Sequence, residues 1–308
     1  RLVKLRSALN ASRLDAILVT KPENRRYLSG FTGSAGYLFI TSNQALLATD
    51  FRYVEQAKNQ SHDFEIVQTT DRWSWLKTIL SKLKTTKIGI EAEHMSITIN
   101  QQLISTFDDM PTETKPVFIP TNSLIETQRT IKDSTEIHGI KTAIEIAETA
   151  MMNVTSTILE GQTEKEIAWN LEKTMRELGA DGPSFDTIVA AGPNGAMPHH
   201  RPSDRTIAMG DPIVIDMGAR VNGYCSDITR TICIGDPDET FHKVYDTVLG
   251  AQLAAIELIK PGISGEEADS YARNVINASP YAETFGHSLG HGVGLAVHEL
   301  PTLSPKSE

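Results

Sequence analysis

Two acids, Asp216 and Asp227, stand inside otherwise apolar runs, and four histidines, His199, His287, His291 and His298, stand in stretches rich in glycine or proline. Carboxylates and imidazoles in that mixture suit Mn, Co, Zn or Fe at a hydrolytic site, whereas the absence of a thiolate pair argues against a structural zinc knot. Taken singly, each histidine reads as a hydrogen-bonded structural residue; the grouping changes that. Five of the nine histidines fall within 199–200 and 287–298, and glycines at 286, 290, 292 and 294 leave the second backbone stretch free for close approach to a ligand. The run His287-Ser-Leu-Gly-His291 lacks the glutamate of the HExxH zinc-protease helix, so that chemistry is excluded.

The acids need elements to hold them. The apolar run ending at Met217, the turn signal Val221-Asn222-Gly223 and the run Tyr224 to Ile234 predict a β-hairpin. A turn centred on Val221-Asn222 sets Asp216 opposite Asp227; one centred on Asn222-Gly223 sets Thr229 opposite Asp216, with Asp227 two residues away. Both registers put the two carboxylates on one face. Two buried carboxylates repel, so a divalent cation is expected between them, the alternatives being strand ends in water or pairing with Arg220 and Arg230.

With 308 residues the chain has room for two domains, and 40% apolar with 22% charged residues is an ordinary globular composition. A net charge of −10 argues against nucleic-acid or anionic-membrane partners. No run approaches the roughly 20 apolar residues of a membrane span, and the amphipathic N-terminus lacks the apolar core of a signal peptide. Cys225 and Cys233, too far apart along the hairpin to bond, are expected to be reduced, which fits a cytoplasmic location.

Alternating helix and strand signals up to residue 125 predict a small α/β domain with a mixed sheet: strands at 15–20, 36–41, 45–49, 64–67, 87–91 and 115–119, helices at 1–14, 22–30, 51–59, 73–83 and 96–107. GFTGSAG (30–36) matches no phosphate-binding pattern and reads as turns; Trp73 and Trp75 read as packing or partner surface. A connector over 120–133 separates this part from a second domain, taken as 126–308. There Asp133 with Glu136, and Thr163 with Glu166, read as capping boxes opening two long helices. ILEGQTEKEIA (158–168) is echoed by LIKPGISGEEA (258–268), which predicts a unit of two helices leading into strands, used twice, with a site on the sheet face the helices leave open.

Three segments in order, PSFDTIVAAGPNGAMPHHRPSDR (183–205), VIDMGARVNGYCSDITRT (214–231) and FGHSLGHGVGLAVHE (285–299), resemble the pita-bread metallopeptidases, most of all aminopeptidase P (Xaa-Pro aminopeptidase) and prolidase. TKPENRRYLSGFTGSAGYL (20–38) and ATDFRY (48–53) resemble the N-terminal domain of the same family. The resemblance implies an α/β (α+β) chain whose second domain is a pseudo-symmetric curved antiparallel sheet with helices on one face. It implies Asp216, Asp227 and His291 as ligands of two divalent ions, expected to be Mn2+ with Co2+ or Zn2+ as alternatives, which share the attacking hydroxide. His199 would contact substrate near the scissile bond, His298 would stabilise the carbonyl oxygen, and His287 would hold the primed side. The implied reaction is release of an N-terminal residue that precedes proline, by a homodimer.

One departure stands out. The family uses two further glutamates beyond the equivalent of His298, and nothing after Glu299 fits them. With no initiator Met and a polar end at PTLSPKSE, the chain reads as a fragment with three of five expected ligands, expected to bind metal weakly and to be inactive as it stands. Prolidase activity on Xaa-Pro dipeptides is the nearest alternative. Methionine aminopeptidase would not need the N-terminal domain, creatinase would not need these ligands, and a non-catalytic pita-bread scaffold would be expected to have lost them.

Overall fold

Helix α1 (Leu2–Ala11) leads into strand β1 (Ala16–Val19), whose four side chains are fully buried. The chain continues through α2 (Pro22–Ser29), β2 (Tyr37–Thr41), β3 (Ala45–Thr49), α3 (Val54–Gln60), β4 (Glu65–Gln68), α4 (Ser74–Leu80), β5 (Lys87–Glu91), α5 (Ile97–Ser105), β6 (Val117–Thr121) and α6 (Glu126–Thr130). This computed structural model describes residues 1–83 and 86–307. The strands order as β4-β3-β2-β1-β5-β6. β2 pairs antiparallel with both β1 and β3, the latter across a short turn, whereas β4 joins β3 and β6 joins β5 in parallel, each after a helical crossover. β5 pairs in parallel with β1, which completes a mixed sheet. Each strand lies within two residues of its expected position. Trp73 and Trp75 are packing residues, buried among Phe39, Leu76 and Phe107, and the carbonyls of Gly33 and Gly36 in the glycine-rich turn accept from the buried Arg25 guanidinium.

Contacts divide the chain into Arg1–Ile131 and Lys132–Glu308. The first unit reaches past residue 125 because α6 is fastened to α2: Asn24 Nδ2 donates to Glu126 Oε1 at 2.7 Å, and Arg129 Nη1 donates to Asn24 Oδ1 at 2.7 Å.

The second unit comprises α7 (Ser134–Thr155), α8 (Glu164–Glu177), β7 (Gly182–Pro183), β8 (Ile188–Ala191), β9 (Pro212–Met217), β10 (Ala219–Val221), β11 (Tyr224–Cys225), β12 (Ile228–Cys233), α9 (Glu239–Leu258), α10 (Gly265–Asn277), β13 (Gly290–Gly292) and β14 (Glu299–Leu303). Among the described residues its strands pair antiparallel in three small sheets, β11-β10-β7, β12-β9-β8 and β13-β14. Both expected capping boxes form at α7 and α8. At α10 only half of one forms: Ser264 accepts from the Glu267 N–H, but Glu267 Oε1 takes the Tyr271 hydroxyl instead.

Ile213, Ile215 and Met217 of β9 are fully buried against Ala147, Met151, Ile167 and Leu171 of α7 and α8. Burying each such side chain contributes about 1.5–3 kcal/mol. This packing fixes which face of β9 meets the helices and which is left for chemistry. None of the described helices is long and apolar enough to cross a membrane.

Candidate metal centre

Because Ile213, Ile215 and Met217 face the helices, alternation turns Asp216 to the other side of β9. Thr229 is its direct partner across the ladder, and Thr229 Oγ1 donates to Asp216 Oδ1 at 2.8 Å. The register is therefore the one centred on Asn222-Gly223. Asn222 (φ 47°) and Gly223 (φ 75°) both adopt positive φ, as a two-residue type I′ turn demands. Arg230 does not neutralise the acids; its Nη1 donates to the Thr229 carbonyl.

The predicted hairpin is not one continuous ladder. It breaks at Gly218 on one strand and at Ser226-Asp227 on the other. A side chain at Gly218 would overlap the Ser226 carbonyl and Ser184 Oγ, so only glycine allows the strands this close. The buried Ser226 hydroxyl accepts from Ala219 N and donates to the Ala143 carbonyl, which ties the break to α7. Asp227 sits in the break, outside the ladder, and His291 Nε2 lies 3.4 Å from its Oδ2.

His291 is on β13, where the register slips between His291 and Gly292. Its Nδ1 faces the Gly292 carbonyl at 3.0 Å and must donate to it, which leaves Nε2 as the free nitrogen facing Asp227. The His298 ring stacks obliquely on His291, with centroids 4.2 Å apart. The turn beneath His298 is held by Glu299, which accepts from Ala296 N at 2.8 Å and pairs with Lys132 at 3.4 Å.

Burial raises the Asp216 carboxyl above its ordinary range; the Thr229 hydrogen bond opposes this, the Asp227 charge adds to it, and His199 and His291 are near enough to lower it. Burial likewise raises Asp227, with His291 and His298 opposing. Asp216, Asp227, His199, His291 and His298 thus act on one another electrostatically. The contacts of His287 are elsewhere: its Nδ1 donates to the Ser288 carbonyl, and its ring meets the Phe285 ring edge-on.

His200, beside His199, is committed to Glu164, with Nε2 2.8 Å from Oε2. Glu164 is fully buried and accepts four more hydrogen bonds, from Ala191 N, Asn194 Nδ2, Ser203 N and Ser203 Oγ. This one carboxylate fastens both ends of the loop that carries His199. The sequence shows Glu164 only as an acid in the first turn of a helix; its partners lie on a distant segment. Thr229 and Ser226, too, carry no signal beyond a polar residue in a strand run.

Among the described residues no three His, Cys, Asp or Glu side chains converge closely enough to hold a metal as they stand. The donors nevertheless fit a divalent cation in kind: two carboxylates whose ionised forms burial disfavours, and an imidazole whose other nitrogen is anchored to a backbone carbonyl.

The sequence matches Metallopeptidase family M24 over residues 138–308 and the Creatinase/Prolidase N-terminal domain over 1–131. It is 38% identical to an Xaa-Pro dipeptidase of Pyrococcus furiosus, over 100% of this chain and 86% of that protein. Among solved structures, the Xaa-Pro dipeptidase from Bacillus anthracis is 40% identical with a TM-score of 0.94, over 99% of this chain and 84% of that one. The X-Pro aminopeptidase from Thermotoga maritima is 41% identical with a TM-score of 0.86, over 98% and 86% of the two chains.

Proposed function

The chain belongs to metallopeptidase family M24, hydrolases of the pita-bread fold, and from that premise we propose that it hydrolyses the Xaa–Pro bond of dipeptides at a centre built on Asp216, Asp227 and His291. The observation that carries this reading is the apposition of His291 Nε2 to Asp227 Oδ2 beside the Asp216–Thr229 pair. The dipeptidase reading is preferred to the aminopeptidase one because relatives named Xaa-Pro dipeptidase align over the whole chain. The aminopeptidase reading keeps one specific support, the similarity to the Thermotoga maritima X-Pro aminopeptidase.

Asp216, Asp227 and His291 would hold divalent ions, with two Mn2+ the proposed complement. Such ions, when bound, lower the pKa of a water and polarise a carbonyl oxygen. The remaining work falls to the chain. His298, stacked on His291, would donate a hydrogen bond to oxygen that gains charge as the carbonyl carbon becomes tetrahedral. His199 would contact the substrate beside the scissile bond, and the exposed His287 would meet its primed side. In the balance of the reaction, water gives its OH to the carbonyl carbon and its hydrogen to the proline nitrogen as the C–N bond breaks. That nitrogen carries no hydrogen in the substrate, so recognition of proline rests on shape and not on an N–H donor.

Proline release from Ala-Pro, compared with arginine release from Arg-Pro-Pro in the presence of Mn2+, tests the assignment. Faster turnover of the dipeptide supports it, faster turnover of the tripeptide restores the aminopeptidase reading, and unimpaired activity in Asp227→Asn overturns both.

A further inference from the structure

Helix α10 carries an ion pair that the reaction above does not use. Asp269 is 1% exposed, and Arg273, one turn on, engages both its oxygens: Nε donates to Oδ2 at 2.6 Å and Nη2 to Oδ1 at 3.0 Å. The pair then reaches out of the helix. Arg273 Nη1 donates to the Phe285 carbonyl at 2.6 Å, Arg273 Nη2 donates to the His287 carbonyl at 2.8 Å, and Asp269 Oδ1 accepts from Leu289 N at 2.9 Å. Three alternate residues around His287 are thus held at the backbone by one acid and one base.

The same pair acts on the His287 ring. The Arg273 guanidinium lies 4.4 Å from the centroid of the Phe285 ring, and that ring meets His287 edge-on at 4.7 Å and 81°. With backbone and ring both fixed, His287 Nδ1 is brought to the Ser288 carbonyl at 2.8 Å. Donation to that carbonyl assigns the proton to Nδ1 and leaves Nε2 as the free nitrogen. An ion pair serving only to brace a helix would need one contact per partner. The fork of Arg273 uses three nitrogens on four acceptor contacts, a geometry that an ammonium group cannot reproduce.

We propose that Asp269 and Arg273 are positioning residues which, by clamping residues 285–289, set the tautomer and direction of His287. This deepens the proposed function, since it rests on His287 meeting the primed side of the substrate.

Imidazole 15N chemical shifts of His287, measured on the protein without added metal, test the clamp directly. The wild type is expected to show one Nδ1–H tautomer, and Arg273→Lys to show the Nε2–H form or exchange between the two. Asp269→Asn, which keeps an acceptor and loses the charge, should move the shifts the same way by less, and it serves if the lysine variant does not fold. In turnover of Ala-Pro, Arg273→Lys should raise KM about tenfold and leave kcat within about twofold, and adding it to His287→Ala should change KM less than about twofold, because the two changes remove one interaction. Shifts that stay at their wild-type positions in both variants overturn the clamp. If the shifts move but His287→Ala leaves KM unaltered, the clamp stands and the assigned role of His287 falls.

Discussion

His291 offers Nε2 to Asp227 Oδ2 at 3.4 Å while its Nδ1 is spent on the Gly292 carbonyl at 3.0 Å. The second contact gives meaning to the first. A ring anchored through Nδ1 has one nitrogen left, and that nitrogen faces a carboxyl which burial keeps above its ordinary range. A cation between them would relieve the buried acid and find a lone pair already aimed.

Replacing Asp227 with Asn should therefore weaken Mn2+ binding at least about tenfold, since removing even a partner of a metal ligand typically costs 10–100-fold. Isothermal titration of the metal-free protein measures this without reference to turnover. Chelation should abolish peptide hydrolysis, and added Mn2+ should restore it. Equal affinity in the variant would remove Asp227 from the centre.

Thr229→Val keeps the shape of the strand and deletes the hydrogen bond to Asp216 Oδ1. That bond favours the ionised carboxylate against the effect of burial, so without it a proton competes better with a cation. Such a bond is worth about 1 kcal/mol, or roughly fivefold in affinity. Metal titrations at several pH values should show the apparent affinity of the variant falling off at a higher pH than that of the wild type. A shift to lower pH, or none, would contradict the role given to Thr229.

These residues mark how far the sequence could be read. Asn222-Gly223 announces a hairpin because both residues tolerate positive φ, and strand periodicity puts Asp216 and Asp227 on one face whichever register holds. Periodicity cannot choose between the registers, since shifting the turn centre by one residue changes cross-strand partners by two and leaves the faces unchanged. The first unit was legible strand by strand because its apolar runs are short and bounded by turn residues. The break at Gly218 was not, because it depends on the Ser226 carbonyl across the ladder. Glu164 and Asp269 carry no sequence signal beyond an acid in a helix; both are buried because loops from later in the chain fold over them.

Gly218→Ala places a methyl group against the Ser226 carbonyl and Ser184 Oγ, at the point where β9 gives way to β10. Overpacking of this kind costs about 1–3 kcal/mol, and here backbone has to move. Denaturant unfolding should show a loss in that range, and metal affinity should fall with it because Asp227 sits across the same break. An unchanged midpoint would mean that the strands can separate there freely.

Glu164→Gln tests the carboxylate that fastens the His199 loop. Burial alone would raise this group, but the Ala191 N–H, Ser203, Asn194 and His200 outweigh it and bring it down to about 2 from an ordinary 4.5. Such a depression corresponds to about 3 kcal/mol of stability. The sign follows from proton counting: between those two values the unfolded chain binds more protons than the folded one, so the contribution is complete above about 4.5 and disappears as the pH falls through about 2. The gap in unfolding free energy between wild type and Glu164→Gln should be largest near neutral pH and close progressively on acidification. A gap that does not change between pH 7 and pH 3 would show that the charge on Glu164 is not what holds the loop.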